Sequence, residues 1–512
     1  MMAVVSEGAS LTLDDGGQTI VHSGKVTNHI ILNGGTLTVE DNGLAQIDKA
    51  DGGKLELLDT GLAEAWLGDT DTPAGTTFNI TDGFARGDTV RLGLGDANAF
   101  SAPGKKLIVT NMDGYANFYV NTDLANNKAD TIEMTNVVNA TSANTIRINY
   151  DPTLATGTEV ATTDTTVATV GTANTATFTG AASTIGGYTY MPTITSTDNG
   201  LTWQITEVHF DKPSDQMYAA LGNASLQADV WRRAGQPVAD RMAKLRLDPV
   251  KGSDIWVNFR RGKTTLDNLG HNVRGTYSRM DIGYDKPVGN GWTLGASYGL
   301  RYGTEGYDCG SGNSHDDILS AYGLWQNDSG RFAEATVRLG RLASDLDLQD
   351  PNQLAATKGS SRTFGQAMSL VYGQHLDRGN DWYLEPRVGL QWAHVNGYNY
   401  GTSDGSAVAV DATNSFIGLV GLNAGKKLAN GGTFYARADL MHDFAGGVTA
   451  TMTKGRSVSL ENDFKDTWLD LALGYKRQAG PLEWYVEAGR LGIGSKAAQG
   501  NWVWNVGLKY KF

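Results

Sequence analysis

The sequence contains very little cysteine and proline. One of its 512 residues is a cysteine, Cys309, so no disulfide can form within the chain. The 11 prolines are far outnumbered by 65 glycines, a balance that favours many turns and long β-strands over loops stiffened by proline. The scarcity of cysteine is compatible with passage through an oxidising compartment, although many cytosolic proteins share it.

The sequence also lacks clusters of positive charge and long apolar runs. A formal charge of −13, a pI near 5.1 and the absence of any Lys/Arg run argue against a nucleic-acid partner. No apolar run approaches the roughly 18 to 20 residues that a membrane helix needs. A form of this chain that spans a bilayer would therefore be a β-barrel. The length of 512 residues predicts two or three domains.

The start of the sequence, MMAVVSEGASLTLDD, contains no basic n-region, apolar h-region or cleavage motif. If the chain is exported, we expect a signal peptide and more of the N-terminal domain to be encoded before Met1.

No arrangement of residues indicates catalysis. The eight histidines form no HExxH or other metal-ligand spacing, and no Gly-x-Ser-x-Gly turn or phosphate-binding loop occurs. Cys309 lies in a polar connection, residues 307 to 313, where a reactive role is not expected. We therefore predict that the chain is not an enzyme and has no cofactor or metal site.

The N-terminal part of the sequence carries an 18-residue repeat. Gly16-Gly17, Gly34-Gly35 and Gly52-Gly53 open three units, each with a short alternating run, another glycine and an apolar cluster. Two short strands and two glycine turns per repeat are typical of a parallel β-helix, whereas chance spacing of glycine pairs is the alternative. Because a β-helix exposes an edge at each end, an atypical cap should follow.

The segment after the repeats is less regular. Residues 78 to 92, FNITDGFARGDTVRL, predict strand, turn and strand, with Gly83 and Gly87 at the bends. The tripeptide Arg86-Gly87-Asp88 invites an integrin-binding interpretation, but Gly-Asp also suits a turn, and we favour the turn. Residues 151 to 185 are rich in Thr, Ala and Gly and fit a linker or further coils equally well.

One long helical pattern occurs, in residues 214 to 247. Its apolar residues recur at helical spacing, Ser214 can cap its start, and Pro237 is expected to break or kink its middle. The segment also carries four arginines, Arg232, Arg233, Arg241 and Arg246. They could meet carboxylates inside a pore or be solvated on an ordinary amphipathic linker.

The last thirteen residues, GNWVWNVGLKYKF, alternate between an apolar and a polar face. The apolar face consists of Trp502, Trp504, Val506, Leu508, Tyr510 and Phe512. A final strand of this kind is typical of outer-membrane β-barrels, in which the apolar face meets lipid and the polar face meets the lumen. A half-buried edge strand of a soluble sheet alternates in the same way, so the prediction depends on whether the pattern recurs.

The pattern recurs from Ser253 onward in twelve candidate strands. They are residues 253 to 267, 276 to 288, 291 to 307, 314 to 327, 330 to 348, 361 to 377, 381 to 400, 406 to 428, 432 to 452, 456 to 478, 481 to 495 and 500 to 512. Short turns alternate with longer polar connections near residues 268 to 275, 308 to 313, 349 to 360 and 401 to 405, which is the asymmetry of a bacterial outer-membrane barrel. Twelve strands leave a lumen that fits one helix of about 10 to 12 Å diameter.

Charged residues collect on the strand face opposite the apolar one. We assign to the lumen Arg279, Asp281, Glu334, Arg338, Glu385, Arg387, Arg437 and Asp439. A charge on the lipid face at mid-membrane costs about 2 to 4 kcal/mol, so this segregation is expected of a barrel.

Several motifs resemble the type Va autotransporters. The segments 107 to 114, 118 to 124 and Gly187-Tyr188-Thr189-Tyr190 before Trp203 are similar to the β-helix cap, or autochaperone region, that ends the family's passengers. Residues 151 to 185 depart from the family's spacing.

The second half of the chain resembles the family's β-domain. The supporting motifs are Asp254-Ile255-Trp256-Val257, Leu384-Glu385-Pro386, residues 435 to 439, His442-Asp443-Phe444, Asp466-Thr467-Trp468 and the terminal Phe512.

The resemblance implies an all-β fold in four parts. Residues 1 to 75 would be the remnant of a right-handed parallel β-helix passenger, and residues 76 to 210 its cap. Residues 214 to 247 would form a linker helix through the pore, and residues 253 to 512 a 12-stranded antiparallel transmembrane β-barrel. The implied function is type V secretion, in which the outer-membrane barrel exports its own N-terminal passenger to the cell surface.

The resemblance also implies partners. These are outer-membrane lipid, periplasmic chaperones and the barrel-assembly machinery, with host or neighbouring-cell surfaces as further candidates. The implied assembly signal consists of Trp504, Val506, Leu508, Tyr510 and Phe512.

Three alternatives remain open. The chain could be a surface adhesin or self-association protein anchored by the barrel, or a porin-like channel. Some family members also cut their own passenger within the lumen, for which the candidates here are Asn223, Asp281, Glu385 and Asp439. The helix lacks the family's paired-Asn cleavage motif.

Overall fold

The computed structural model describes residues 10–22, 24–93, 100–249, 252–496 and 498–511. The chain divides into two compact units. Unit 1 comprises Met1–Ser214 with two later segments, Asp350–Ala356 and Thr453–Ser457, and unit 2 comprises Asp215–Gln349, Thr357–Met452 and Val458–Phe512. None of the helices in the described ranges has the length and apolarity needed to cross a membrane.

Unit 1 begins as a stack of parallel strands. They are Leu11–Asp14, Gln18–Val21, Gly24–Asn33, Thr36–Val39, Gly43–Ala50, Lys54–Leu57, Glu64–Leu67, Thr77–Leu92, Lys106–Val120, Thr131–Val138 and Asn144–Ile148. Gln18 pairs in parallel with Thr36, and Thr36 with Lys54, so each early coil takes one repeat of the sequence. Leu37 and Leu55 follow each other in register and are both buried, which gives successive coils a common apolar core.

The parallel stack of unit 1 ends in antiparallel pairing. Val160–Val170 pairs in parallel with Thr131–Val138 on one side and antiparallel with Thr202–Pro213 on the other. Tyr188–Thr197 then pairs antiparallel with Thr202–Pro213. This hairpin occupies the edge that the last parallel strand would otherwise expose.

The Thr-rich segment 151 to 185 is ordered. It forms one helical turn, Pro152–Ala155, and the strands Val160–Val170, Phe178–Ala181 and Ser183–Ile185. Of the two interpretations left open, regular structure is therefore the correct one.

The predicted strand, turn and strand in residues 78 to 92 is wrong. Thr77–Leu92 is one strand, because Gly87, with φ of +94°, forms a bulge that bends the chain without taking it out of the sheet. Asp88 is buried and accepts hydrogen bonds from the backbone N–H groups of Gly61 and Arg86, at 3.0 and 2.8 Å. Arg86 pairs with Asp113 at 3.0 Å. These contacts bind the tripeptide into the coil.

Two segments from later in the chain complete unit 1. Arg456 forms an ion pair of 2.9 Å with Glu159, and the Tyr188 hydroxyl donates to the carbonyl oxygen of Lys454 at 2.5 Å. Arg147 donates to the carbonyl oxygen of Pro351 at 2.8 Å. Unit 1 is therefore not continuous in sequence.

Unit 2 is a closed antiparallel barrel of twelve strands in the described part of the chain. They are Asp254–Leu266, Val273–Gly289, Trp292–Tyr307, Gly310–Gln326, Arg331–Leu348, Thr357–Gln374, Trp382–Val395, Thr413–Lys427, Gly432–Asp443, Thr467–Ala479, Leu482–Ile493 and Ala498–Lys511. Each strand pairs with the next, and the last pairs with the first. The predicted strand number and closure are confirmed.

Four predicted strands are too long. Each combines a barrel strand with one strand of a separate four-stranded sheet, which consists of Tyr398–Gly401, Ala407–Val410, Gly447–Lys454 and Arg456–Asp463. The two-residue alternation continues through both elements, so the sequence pattern does not mark the point where the barrel strand ends.

The predicted polar connection at residues 308 to 313 is also wrong. Only Asp308 and Cys309 join Trp292–Tyr307 to Gly310–Gln326. Cys309 is buried and packs with Leu346 and Leu348, so it does not lie in an exposed polar connection.

The helical segment forms two helices in unit 2, α1 (Asp215–Arg233) and α2 (Gln236–Leu247). The expected interruption lies at Ala234-Gly235. Pro237 is in the first turn of α2. A backbone N–H at this position would have no hydrogen-bond partner within the helix, so proline is tolerated there.

Replacing Gly53 with alanine is expected to destabilise unit 1. Gly53 has φ of +94°, and a Cβ at this position would lie 2.6 Å from the carbonyl oxygen of Gly35 in the previous coil. Backbone strain and the clash together are expected to lower the free energy of unfolding by about 2 to 4 kcal/mol. Urea unfolding of the full-length protein in detergent micelles, followed by circular dichroism, measures the change.

Gly16→Ala is the matched control. Gly16 also has a positive φ, +78°, but a Cβ there would meet no atom of the described residues within 4 Å. This variant is expected to lose only the conformational contribution, about 1 kcal/mol. Equal losses in the two variants would contradict the close approach of successive coils at Gly53.

Candidate functional site

The side chains of the barrel separate into an exposed outer face and a buried inner face. Large apolar side chains of the outer face are strongly exposed, for example Leu294 (48%), Val337 (51%) and Leu473 (69%). The positions between them carry polar and charged side chains that are buried. An apolar band around a closed barrel is the surface that outer-membrane barrels present to lipid.

The structure places all eight charged residues that the sequence assigned to a lumen on the inner face. They are Arg279, Asp281, Glu334, Arg338, Glu385, Arg387, Arg437 and Asp439. Arg279 pairs with Asp281 at 2.6 Å, and Arg387 pairs with Asp439 at 2.5 Å. These two pairs join side chains of the barrel wall to each other.

The carboxylate of Asp240 in α2 is the centre of a cluster of polar side chains. Arg260 and Arg437, from two different barrel strands, both form ion pairs with it. Asn505, from the last strand, donates to it at 3.1 Å, as does Gln236 of the same helix. Asp240 is 1% exposed, so these contacts replace its hydration.

Two arginines of α2 pair with carboxylates of the barrel strands. Arg241 donates to Asp285 at 2.7 Å and to Asp254 at 2.9 Å. Arg246 pairs with Glu385 at 2.8 Å and also with Glu334. Ion pairs on several sides of one helix show that α2 lies inside the barrel.

The helix α1 packs against the barrel wall through the side chain of Trp231. The ring of Trp231 is fully buried against Gly340 and Gly365, where an added Cβ would lie 2.6 and 2.5 Å from the ring. Its indole N–H donates to the carbonyl oxygen of Gln366 at 3.0 Å. Any larger residue at these two positions would occupy the space of the indole ring.

Side chains of the barrel wall also donate hydrogen bonds to the carbonyl oxygens at the C-terminal end of α1. The last carbonyl groups of a helix have no partner within it. Gln391 donates to the carbonyl oxygen of Arg232 at 2.6 Å, and Arg279 donates to that of Ala234 at 2.8 Å. The C-terminal end of α1 is therefore bonded directly to the barrel.

Sequence reasoning missed several members of this site. These are Asp240, Asp254, Arg260, Asp285 and Asn505. The strand residues among them could have been found, because they follow the same two-residue alternation as the assigned residues. Asp240 lies on the helix, and its role depends on contacts that no local pattern records.

The candidate assembly signal lies on the outer face of the last strand. Trp504, Val506, Leu508 and Tyr510 are all exposed there. Phe512 lies outside the described residues. The role of these residues as a signal stays a prediction.

The candidate cleavage residues are not brought together. Asp281 pairs with Arg279, Glu385 with Arg246, and Asp439 with Arg387. The side chain of Asn223 in α1 instead accepts hydrogen bonds from Ser344 at 2.7 Å and from Tyr307 at 3.3 Å.

One group of possible metal ligands occurs among the described residues, His22, Glu40 and Asp41 of unit 1. The Nδ1 atom of His22 lies 2.9 Å from a carboxylate oxygen of Glu40, and the His22 side chain is 58% exposed. We assign no ion to this exposed group.

Comparison with known proteins identifies related sequences for both units. Residues 255–489 match the family model of the autotransporter beta-domain, and residues 89–207 match the pertactin family model. The chain is 27% identical over 301 residues to the pertactin autotransporter of Bordetella parapertussis, with 57% of this chain and 32% of that protein covered. It is 26% identical over 196 residues to the BrkA autotransporter of Bordetella pertussis, with 38% and 19% covered. The chain thus spans about a third or less of the length of these relatives.

A solved structure is also similar. The translocator domain of autotransporter NalP from Neisseria meningitidis covers 57% of this chain and 99% of its own, with 17% identity and a TM-score of 0.47. The two family matches lie in different units, the pertactin match in unit 1 and the β-domain match in the barrel. The family match in residues 255–489 identifies the barrel of unit 2 as an autotransporter β-domain.

Proposed function

We propose that the β-domain carries the N-terminal part of its own chain through the outer membrane to the cell surface. The observation that supports the proposal is the polypeptide inside the barrel. The helices α1 and α2 directly precede the first barrel strand, and their side chains pair with the inner face. A barrel whose lumen holds the segment before its first strand is suited to pass the preceding chain through that lumen.

The inner face suits a polypeptide passage. Its charges are of both signs and lie on several strands, so neither acidic nor basic segments would be excluded by a uniform field. The same charges offer hydrogen bonds to a chain whose own polar groups are not yet paired.

Folding of unit 1 can supply the direction of movement. Each coil of a β-helix buries its core against the previous one, so coils that fold outside the membrane oppose return of the chain. This mechanism needs no ATP, and the role requires no catalytic residue. An open porin-like channel is less consistent with a lumen that is filled by α1 and α2.

We also propose that assembly depends on periplasmic chaperones and the barrel-assembly machinery. The last strand is the natural signal, because it pairs with Asp254–Leu266 to close the barrel and exposes Trp504, Val506, Leu508 and Tyr510 on one face. We include the terminal residue, Phe512, in this proposed assembly signal.

A second candidate activity is cleavage of the chain at Asn223. The Nδ2 atom of this buried side chain has no hydrogen-bond acceptor within the described ranges, whereas its Oδ1 is held by Ser344 and Tyr307. Attack of Nδ2 on the backbone carbonyl carbon of Asn223 would form a succinimide. The bond to the nitrogen of Ala224 would break, and that nitrogen would leave as an amine with the proton lost from Nδ2.

Export is tested by the accessibility of unit 1 on intact cells. In a Gram-negative host that delivers the chain to its periplasm, unit 1 is expected to be cut by protease added outside. Deleting residues 498 to 512 removes the strand that closes the barrel and is expected to abolish this cleavage. Deleting residues 10 to 57 is the control, because it shortens unit 1 and leaves the barrel strands intact. A full-length barrel assembled in the membrane with unit 1 inaccessible would contradict export.

Asp240→Asn is expected to loosen the helix in the lumen. The change leaves Arg260 and Arg437 without their shared carboxylate. The binding of α2 inside the barrel should therefore become weaker by about 3 to 5 kcal/mol. More frequent and larger conducting events in planar bilayers are the expected result.

Asp377→Asn is the control for that experiment, because the Asp377 side chain is 81% exposed. Deletion of residues 214 to 247 is expected to give the full conductance of the empty barrel. A deletion variant with unchanged conductance would contradict the occupied lumen.

Cleavage is tested by mass spectrometry of the full-length protein after membrane insertion. A fragment that begins at Ala224 is expected, and Asn223→Asp is expected to reduce its yield at least about 100-fold because the carboxylate is a far weaker nucleophile toward its own backbone. Asn199→Asp, in a turn of unit 1, is the control. An intact wild-type chain after prolonged incubation would exclude this activity.

A further inference from the structure

Three arginines lie on the outer face of the barrel near its closing seam. Arg490 and Arg261 belong to the strands on either side of the last strand, and Arg274 belongs to the next strand along. All three are exposed, and none forms an ion pair with a carboxylate of the described ranges. Elsewhere on the outer face, by contrast, Arg341 lies 3.5 Å from Asp317. The outer face beside the seam therefore carries positive charge that the described acidic side chains do not balance.

The three arginines lie in the half of the barrel that faces the cell surface. Outer-membrane barrels have short turns on the periplasmic side and longer loops outside. The turns at 290–291 and 480–481 form one rim here, whereas residues 396–412 are a connection at the opposite rim. Arg261 and Arg490 lie in the halves of their strands nearer that second rim, and Arg274 is the second residue of a strand that begins there. A lipid-facing charge is tolerated at this level, because its cost falls steeply from the mid-membrane toward the interface.

Two tryptophans of the last strand lie between Arg490 and Arg261. Trp502 is the cross-strand partner of Arg490, and Trp504 is that of Arg261. Both indole side chains are exposed. Because tryptophan combines an apolar ring with a polar N–H, it concentrates where lipid tails meet head groups. We call the set of Arg261, Arg274, Arg490, Trp502 and Trp504 the seam patch.

An apolar groove of the outer face begins at the seam patch. Its volume is about 530 Å³, and both Arg490 and Trp502 contribute to its lining. The lining also includes four alanines of the outer face, Ala424, Ala436, Ala438 and Ala488. These small side chains leave a depression among the larger apolar side chains of the barrel surface. A lipid acyl chain is the apolar group that this surface meets in a membrane.

We propose that the seam patch and the groove bind a phosphorylated glycolipid of the outer leaflet, of the lipopolysaccharide class. The Arg490 guanidinium, at the end of the groove, holds a phosphate group while the groove takes an acyl chain. Guanidinium groups suit this role, because their planar fork donates two hydrogen bonds to one phosphate.

The spacing of the arginines favours a lipid with two phosphate groups. Arg490 and Arg261 lie on strands that are separated by the last strand, which places their backbones about 10 Å apart. A single phosphate between them would have to displace the tryptophans. Within the described residues, no Asp or Glu occupies an outer-face position in the surface half of the strands that carry the three arginines, so a second phosphate would not be repelled.

This inference rests on the outer-membrane location of the barrel and is independent of the export of unit 1. The bound lipid would contact strands on both sides of the closing seam. A ligand that binds only the closed barrel stabilises it in proportion to the logarithm of the ligand concentration.

The test uses the full-length protein in detergent micelles, titrated with lipid A that carries two phosphate groups. Native mass spectrometry measures the fraction of protein with one bound lipid. Lipid A with one phosphate and dipalmitoyl phosphatidylglycerol are titrated in parallel. We expect the diphosphorylated lipid A to bind about 10-fold more tightly than either of the other two lipids.

Arg490→Met is expected to weaken binding of diphosphorylated lipid A about 10-fold, because it removes the charge at the end of the groove and leaves an apolar side chain that suits the lipid face. Arg341→Met is the matched control, since Arg341 is an outer-face arginine that pairs with Asp317; binding should change less than 2-fold, within about RT of the wild type. Ala436→Leu is a second variant, which fills the groove without changing any charge and should also weaken binding.

The outcomes separate this glycolipid from other lipids. Weaker binding in Arg490→Met and in Ala436→Leu, with binding kept in Arg341→Met, supports the site. Equal affinities of the wild type and Ala436→Leu would overturn it, even if Arg490→Met fails to assemble. Phosphatidylglycerol that binds as tightly as diphosphorylated lipid A would also overturn the proposal and show that the patch recognises anionic phospholipids in general.

Discussion

A charge buried between the lumen helices and the barrel wall is shielded from bulk water, and this constraint governs the arrangement of unit 2. Asp240 illustrates it, because a carboxylate this deeply buried is stable only with Arg260, Arg437 and Asn505 around it. Those three partners come from three strands, one of which is the last in the chain. The same carboxylate thus links the helix to strands on both sides of the closing seam.

The need to pair charges also explains why the helix and the wall fit each other closely. Arg241 and Arg246 reach different strands, so α2 cannot rotate or slide without leaving several buried ions unpaired at once. The Trp231 ring adds a steric constraint, because it fits only between two glycines of the wall. Ionic and steric contacts together define one position of the helices along the barrel.

Unit 1 is stabilised in a different way. Its coils repeat short apolar runs, and the glycines between them allow the backbones of successive coils to approach closely. The mistaken turn at Gly87 shows the limit of local signals, since the same glycine serves a bulge within a continuous strand. The ion pair of Glu159 with Arg456 shows another limit, because the two residues lie almost 300 positions apart.

The sequence by itself determined the repeating features of this protein. The early coil length, the strand number, the two faces of the barrel and the presence of an interrupted helix all follow from periodicity and residue type, which are local properties. The tertiary structure decided which charge meets which, where the barrel strands give way to the separate sheet at Tyr398–Gly401, and which residues bury Cys309. Local alternation cannot specify these outcomes, because strand register, the depth of the helix and pairing across the lumen depend on residues that are distant in sequence and meet only once the barrel has closed.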